Sequence, residues 1–186
     1  MDGSLLLWMG LALSIFWSVG VYNRLMRMRA RGLSALGSVE KHMRLFADLV
    51  QAIVTQGSVG DVHKSSSAAA PAVDGWTRLQ AAWLVVDQAL KDTKSANALS
   101  VAPLACLAQA YEGLLDAWRQ LNDVPPDLAG PVVPASMRTQ WEAVALRVET
   151  ARGGFNQILT LYNEALDQFP ARLVVGFMGF QPGGQL

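Results

Sequence analysis

A run of apolar residues near the start of the chain limits its fold more than any other feature. Residues 5–22 read LLLWMGLALSIFWSVGVY and contain no charged side chain. About eighteen helical residues extend about 27 Å, close to the roughly 30 Å hydrocarbon core of a bilayer. The run therefore predicts a first segment, residues 1–22, made of a short external N-terminus and one transmembrane helix.

A cleaved signal peptide is the competing interpretation of this run. Ser18-Val19-Gly20 has the small-x-small pattern of a cleavage site. The residues before Leu5 are MDGS, which include an acid and no base, whereas a signal peptide begins with a positively charged segment. We therefore expect an uncleaved anchor.

Basic residues follow the apolar run at once, and they predict its orientation. Lys and Arg beside a membrane helix are retained on the cytoplasmic side. We expect a single-pass protein of the bacterial inner (cytoplasmic) membrane, with the N-terminus outside and residues 23–186 in the cytoplasm. The same basic side chains are candidates for contact with anionic lipid head groups. They are Arg24, Arg27, Arg29 and Arg31.

Three small residues, Gly10, Ser14 and Ser18, recur every four positions within the run. This spacing places them on one helix face, where a second helix can approach closely. The stripe predicts self-association of the segment, and chance within a short apolar sequence is the alternative.

Beyond residue 23, apolar residues recur at alternating spacings of three and four, which is typical of helices packed at a shallow angle. The predicted fold is all-α: one N-terminal transmembrane helix followed by a long antiparallel four-helix, coiled-coil-like bundle over residues 23–186. The first two stretches carry Leu36, Val39, Met43, Phe46, Val50 and Ile53, then Trp76, Leu79, Trp83, Val86 and Leu90. The third carries Leu104, Leu107, Tyr111, Leu114, Trp118 and Leu121. The fourth carries Met137, Trp141, Val144, Val148, Ala151, Phe155, Ile158, Tyr162, Ala165 and Phe169.

The connections between these stretches are rich in small, polar and proline residues. Residues 55–75 are low in complexity and are predicted to be a flexible connection. Residues 95–103 hold a short turn, residues 123–134 contain four prolines that no helix interior tolerates, and Pro170 is expected to stop the fourth helix.

The end of the chain is strongly apolar and is expected to lie near the membrane. Such a segment needs a partner. It packs back on the bundle, or it contacts lipid or another protein. The candidate residues are Phe169, Pro170, Leu173, Phe177 and Phe180.

Two segments resemble the LemA family. The first is VYNRLMRMRARGLSALGSVEKHMRLFADLVQAI, with its Tyr22-Asn23 and Leu49-Val50 pairs, and the second is ARGGFNQILTLYNEALDQFPARLVVGFMGF. The resemblance implies a single span with a long cytoplasmic antiparallel bundle and an ill-defined role. The motif positions in the second segment are Ala151, Arg152, Phe155, Asn156, Tyr162, Asn163, Phe169, Pro170, Leu173, Gly179 and Phe180.

Signatures of catalysis or of ligand binding are missing from the sequence. It contains no phosphate-binding loop, no HExxH and no CxxC. We predict that the chain is not an enzyme and binds no cofactor or metal, and we expect its one cysteine, Cys106, to be a buried small side chain. An unrecognised site would need His42, Asp48 and a carboxylate of the fourth helix around one cavity.

The balanced charge and the absence of catalytic and ligand-binding motifs favour a function in interactions with other molecules of the cell. The formal net charge is +0, so nucleic acid is not an expected partner, and no small-molecule substrate is predicted. Expected partners are the lipid bilayer, further copies of the chain or another membrane protein. We predict a membrane-anchored scaffold that organises membrane through self-association. The alternative is a single-span sensor with a ligand-binding bundle.

Two further features of the fourth helix remain open. Asn156 and Asn163 lie seven residues apart on one face, which suggests that they fix the register between helices, with a partner-binding stripe as the alternative. Gly153-Gly154 allows either close approach of a neighbouring helix or a bend.

Overall fold

The computed structural model describes residues 2–60, 70–95, 98–125, 132–168 and 171–186. Within these ranges the chain is α-helical and contains no strand, so the all-α prediction is confirmed. The helices are α1 (Asp2–Gly60), α2 (Ala70–Ser95), α3 (Val101–Asn122), α4 (Ala135–Asp167) and α5 (Ala171–Met178).

The prediction of an N-terminal transmembrane helix is wrong. Across the residues that the structure describes, no helix combines the length and the apolar character that crossing a bilayer requires. The uncharged run ends at Arg24, and α1 continues without a break into the charged segment that belongs to the bundle. The predictions of a single-pass topology and of an inner-membrane location are corrected by the same finding.

The helices pack as two antiparallel pairs, α1 with α4 and α2 with α3. In the first pair, the Phe46 ring lies 4.5 Å from that of Trp141 at one end of the bundle. At the other end, Leu25 of α1 and Ala165 of α4 line the same small cavity. In the second pair, Gly75 lies beside Leu121. We call the end near Leu25 the arm end, because α1 continues beyond it.

Aromatic side chains join the two pairs near the end of the bundle that is opposite the arm end. The indoles of Trp118 on α3 and Trp141 on α4 are stacked, with centroids 4.1 Å apart and an interplanar angle of 9°. Phe46 of α1 contacts Trp141 and also lies 6.1 Å from the Tyr111 ring of α3. Large flat side chains therefore fill the space between helices whose backbones do not approach closely.

The predicted apolar seams correspond well to the buried residues. All six predicted residues of α3 are buried, as are those of α1 from Leu36 to Val50. The side chain of Ile53 lies outside the described residues. In α2, Trp76 and Trp83 are only partly buried, and in α4 the buried residue is Leu159 where Ile158 was predicted.

The predicted connection at residues 55–75 is shorter than expected. Helix α1 continues to Gly60 and α2 already begins at Ala70, which leaves residues 61–69 outside the described part of the chain. The other breaks occur where the sequence predicts them, because α2 ends at Ser95, α3 ends at Asn122 and α4 ends at Asp167.

Candidate interaction surfaces

The first surface is the N-terminal part of α1, residues 7–22, which we call the arm. Leu25 is the first core residue of α1, and the arm extends from it away from the bundle. The large apolar side chains between residues 7 and 16 are 47 to 79 % exposed. They are Leu7, Trp8, Met9, Leu11, Leu13, Ile15 and Phe16, and they point to all sides of the helix. A helix that is apolar all round is normally buried, so the arm requires a partner.

The hydroxyl groups in the stripe of small residues on the arm are already hydrogen-bonded within the helix. The Ser14 Oγ donates to the Gly10 carbonyl and the Ser18 Oγ donates to the Ser14 carbonyl, each at 2.8 Å. Both hydroxyl protons are thus used within the helix. An ideal Cβ on Gly10 meets nothing within 4 Å. The stripe therefore presents a shallow surface whose hydroxyl donors are already bonded.

The four arginines that follow the arm separate onto two sides of α1. At about 100° per residue, Arg24, Arg27 and Arg31 fall within roughly 60° of each other, and all three are exposed. Arg29 lies on the opposite side and is partly buried. Burial raises the pKa of the Tyr162 phenol on α4, and the positive charge of Arg29 opposes that shift. Arg29 thus faces the bundle, and the other three form an exposed basic collar.

The apolar segment after α4 lies against the base of the arm. The ring of Phe180 contacts Tyr22 edge-to-face at 5.8 Å. Ala171 of α5 lines a cavity of about 150 Å³ together with Trp17 and Val21. Of the other predicted contact residues, Phe169 and Pro170 lie outside the described residues, as do the side chains of Leu173 and Phe177.

The last six residues, 181–186, form a second surface feature that we call the tail. Asn163 Nδ2 donates to the Gly183 carbonyl at 2.9 Å, and Asn163 Oδ1 accepts from the Gly183 N–H at 2.8 Å. Asn156 makes the same two bonds with Leu186, at 2.7 and 2.9 Å. Each asparagine side-chain amide thus bonds to both the N–H and the carbonyl of one tail residue. The tail runs antiparallel to α4.

Three more hydrogen bonds fix the tail. The Gly184 N–H donates to the Leu99 carbonyl at 2.9 Å, just before α3 begins. The Gln185 amide donates to the Thr160 hydroxyl at 3.0 Å, and the Tyr162 hydroxyl donates to the Gln181 carbonyl at 3.3 Å. The Leu186 side chain is buried. The tail therefore fills the gap between the start of α3 and the second half of α4.

Sequence reasoning identified Asn156 and Asn163 as a pair but assigned them the wrong neighbour. Their amides hold the tail, whereas the sequence suggested contact between helices. The informative signal was the Gly183-Gly184 pair, since two glycines near an apolar residue permit close approach of an extended backbone.

Arg152, another position of the LemA-like segment, connects α3 and α4. Its Nη1 lies 2.9 Å from Glu149 and 3.4 Å from Glu112, and its guanidinium lies 5.2 Å from the centroid of the Tyr111 ring. Burial raises the pKa of the Tyr111 phenol, and the Glu149 carboxylate adds to the shift. The cluster is an ordinary helix-to-helix contact, and it opens into no cavity described here.

The outer face between α2 and α3 carries an open apolar groove of about 660 Å³. Leu84 and Val85 are exposed along it, and its buried lining residues include Ala89 and Ala110. Cys106 also lines this groove and is exposed, so the expectation of a buried cysteine is wrong. Cys106 directly precedes the buried Leu107, which turns the thiol about 100° away from the core.

The residues that an unrecognised catalytic site would need do not come together around one cavity. His42 and Asp48 are six positions apart on α1, and Asp48 is exposed. Within the described ranges, no group of three or more His, Cys, Asp or Glu side chains is arranged to hold a metal ion.

Comparison with known proteins returns no match: no family model, curated protein or solved structure is significantly similar to this chain.

Proposed function

We propose that this chain is a helical interaction protein that assembles with copies of itself through the arm. The observation that carries the proposal is the exposure of seven large apolar side chains between residues 7 and 16. At roughly 200 Å² per large side chain, and at this exposure, they present roughly 900 Å² of apolar surface. A stable interface buries about 800 Å² per partner; because these side chains point to all sides of the helix, one second copy covers part of this surface and the rest stays open to further copies.

A second copy suits the arm because neither surface carries a charge. Residues 7–23 contain no Asp, Glu, Lys or Arg, so two arms meet without desolvating an ion. The bonded hydroxyls of Ser14 and Ser18 need no partner across the interface. Gly10 lies on the same face and lets the two backbones approach closely.

The basic collar favours an antiparallel arrangement of two arms. A parallel pair places Arg24, Arg27 and Arg31 of both copies side by side, where like charges repel. An antiparallel pair places the collars at opposite ends of about sixteen helical residues, about 24 Å apart. This separation is well beyond the Debye length of about 8 Å at physiological salt. It also keeps the two bundles apart and gives a symmetric dimer.

Relationship to the LemA family remains part of the proposal, and the positions of the motif residues support it. Phe155 and Tyr162 are buried in the α4 seam, and Asn156 and Asn163 hold the tail. These four motif residues thus lie along one stretch of α4, where two face the core and two hold the tail.

Sedimentation velocity of the full chain over a range of micromolar concentrations tests the proposed assembly. We expect a dimer for the unmodified chain and monomers for Leu13→Glu and Phe16→Glu, because a buried unpaired carboxylate costs several kcal/mol. Leu146→Glu is the matched control, since Leu146 of α4 is as exposed as Leu13, at 69 and 71 %.

Two outcomes would contradict the proposal. One is an unmodified chain that stays monomeric at every concentration. The other is a chain that binds vesicles containing anionic phospholipid through the arm and shows no self-association, since the arm's partner would then be lipid.

A further inference from the structure

The tail lies in a groove whose side chains form hydrogen bonds with the backbone of an extended peptide. The groove lies between the start of α3 and the second half of α4, and its lining residues are Leu99, Val101, Leu104, Asn156, Leu159 and Asn163. Helix α2 ends at Ser95 and α3 begins only at Val101, so both stop short of the arm end and leave α4 uncovered there. The tail covers this part of α4.

The spacing of the two asparagines matches an extended strand. Seven residues of α4 separate Asn156 from Asn163, a rise of about 10.5 Å. The bonded tail residues, Gly183 and Leu186, are three positions apart, and three extended residues span about 10 Å. Each amide offers one donor and one acceptor to the carbonyl and the N–H of one residue, as a residue of a neighbouring β-strand does. Recognition thus depends on peptide geometry and does not require the tail to be covalently attached.

Two glycines give the groove its selectivity. A Cβ on Gly184 would lie 2.7 Å from Val101 Cα and 3.3 Å from Leu104 Cβ. A Cβ on Gly183 would overlap the Leu159 side chain. Since the first of these neighbours is backbone, it cannot give way easily. The groove therefore accepts Gly-Gly, followed by one exposed residue and a buried leucine at the position of Leu186.

We propose that this groove is a peptide-binding site for extended Gly-Gly-x-Leu segments and that the tail of a second copy fills it in an assembly. In the isolated chain the attached tail is present at an effective concentration of about millimolar and blocks the groove. Two copies held together reach comparable local concentrations, so their tails exchange reciprocally, as in domain swapping. The proposed site is distinct from the arm; peptide binding does not need the arm, whereas reciprocal exchange between unmodified copies rests on the proposed assembly.

Complementary variants test the exchange in a background that carries Leu13→Glu, which removes arm contacts. One variant lacks residues 181–186 and has an empty groove. The other carries Asn156→Ala with Asn163→Ala and has a free tail. We expect each alone to be monomeric and the mixture to form a one-to-one complex. Adding Gly184→Ala to the second variant should abolish the complex.

A synthetic peptide gives an independent measurement. The hexapeptide QPGGQL, the sequence of residues 181–186, should bind the truncated variant saturably and bind the full chain at least tenfold more weakly. A peptide with Gly184→Ala should lose at least tenfold in affinity for the truncated variant. Should truncation impair folding, judged by circular dichroism, the full chain with Gly184→Ala provides the open groove.

The outcomes separate this inference from the proposed function. Absence of peptide binding to a folded variant with an open groove overturns the peptide site. Peptide binding without a complex between the complementary variants overturns the exchange. Failure of the arm-mediated dimer affects neither result, because the complementary variants carry Leu13→Glu and the peptide binds the groove of a single chain.

Discussion

The side-chain amide of Asn163 donates a hydrogen bond to the Gly183 carbonyl at 2.9 Å and accepts one from the Gly183 N–H at 2.8 Å. Asn156 repeats the arrangement with Leu186 two helical turns earlier. A typical intramolecular hydrogen bond contributes about 0.5–1.5 kcal/mol, so these four bonds offset the ordering of a few tail residues. The tail is therefore held by a small net free energy that single substitutions can reverse.

Replacing Asn163 with aspartate should release the tail. An ionised Asp side chain only accepts hydrogen bonds, so it cannot donate to the Gly183 carbonyl and instead repels it. We expect the amides of Gly183 and Gly184 to exchange with solvent at least tenfold faster in hydrogen-exchange measurements. Asn23→Asp, at an exposed position of α1, is the control. Unchanged protection in Asn163→Asp would show that the amide pairing does not hold the tail.

Much of the bundle could be predicted because its core follows a local rule. Each helix buries residues at spacings of three and four, and the six predicted residues of α3 are all buried. The proline-rich and polar connections also predicted where the helices end. Neither inference required knowledge of which helices are neighbours.

The seam of α4 shows where this local rule fails. Its predicted residue Ile158 is only partly buried, and Leu159 is fully buried. Leu159 contacts Gly183 of the tail and Gly32 of α1, so its burial depends on a segment more than twenty residues away. Helical periodicity contains no information about such a segment.

The N-terminal run was misread for a related reason. The run carries no charge and its helical length is close to the thickness of a bilayer core, which predicted a membrane span that the described residues do not support. The structure shows a continuous α1 from Asp2 to Gly60, in which the apolar run and the bundle helix are one element. The apolar character of the run and the stripe of small residues could be predicted from the sequence. The hydrogen bonds made by the hydroxyls of Ser14 and Ser18 are seen only in the structure.

Alanine at Gly153 or Gly154 should stabilise the protein. Both glycines are exposed in the interior of α4, and an ideal Cβ at either position meets nothing within 4 Å. Because glycine is about 0.8–1.0 kcal/mol less favourable than alanine inside a helix, each substitution should raise the free energy of unfolding by about that amount. Urea unfolding followed by circular dichroism measures the change. A loss of stability would indicate that another chain packs against this face.

Trp141 is expected to contribute more to stability than any exposed aromatic residue. It is 2 % exposed, stacks on Trp118 and contacts Phe46, so it joins three helices. Trp141→Ala should lower the free energy of unfolding by about 3–5 kcal/mol and weaken the near-ultraviolet circular dichroism of the stacked indoles. Leu161→Ala, at an α4 position that is 57 % exposed, is the control and should leave both nearly unchanged. Equal effects of the two substitutions would contradict this packing.

Acid should weaken the contact between α1 and α2 through Glu40. Burial acts to raise the pKa of this carboxyl, but hydrogen bonds from Lys94 and Arg44 outweigh burial and lower the pKa below its usual 4.5. The Glu40 Oε1 lies 2.7 Å from Lys94 Nζ and 2.9 Å from an Arg44 guanidinium nitrogen. A carboxyl whose pKa is lower in the folded state stabilises the fold above its unfolded-state pKa.

The stabilisation by Glu40 is therefore complete near neutral pH and disappears as the pH falls below about 4.5 and through the lowered folded-state pKa. Glu40→Gln should reduce stability at pH 7 and make the remaining dependence on acid shallower, so that the two curves converge at low pH. Urea unfolding at a series of pH values measures both curves. Asp116→Asn, which removes an exposed pair with Arg119 within α3, should change stability at pH 7 by less than about 0.5 kcal/mol. Parallel curves for Glu40→Gln and the unmodified chain would show that the carboxylate does not link the two helices.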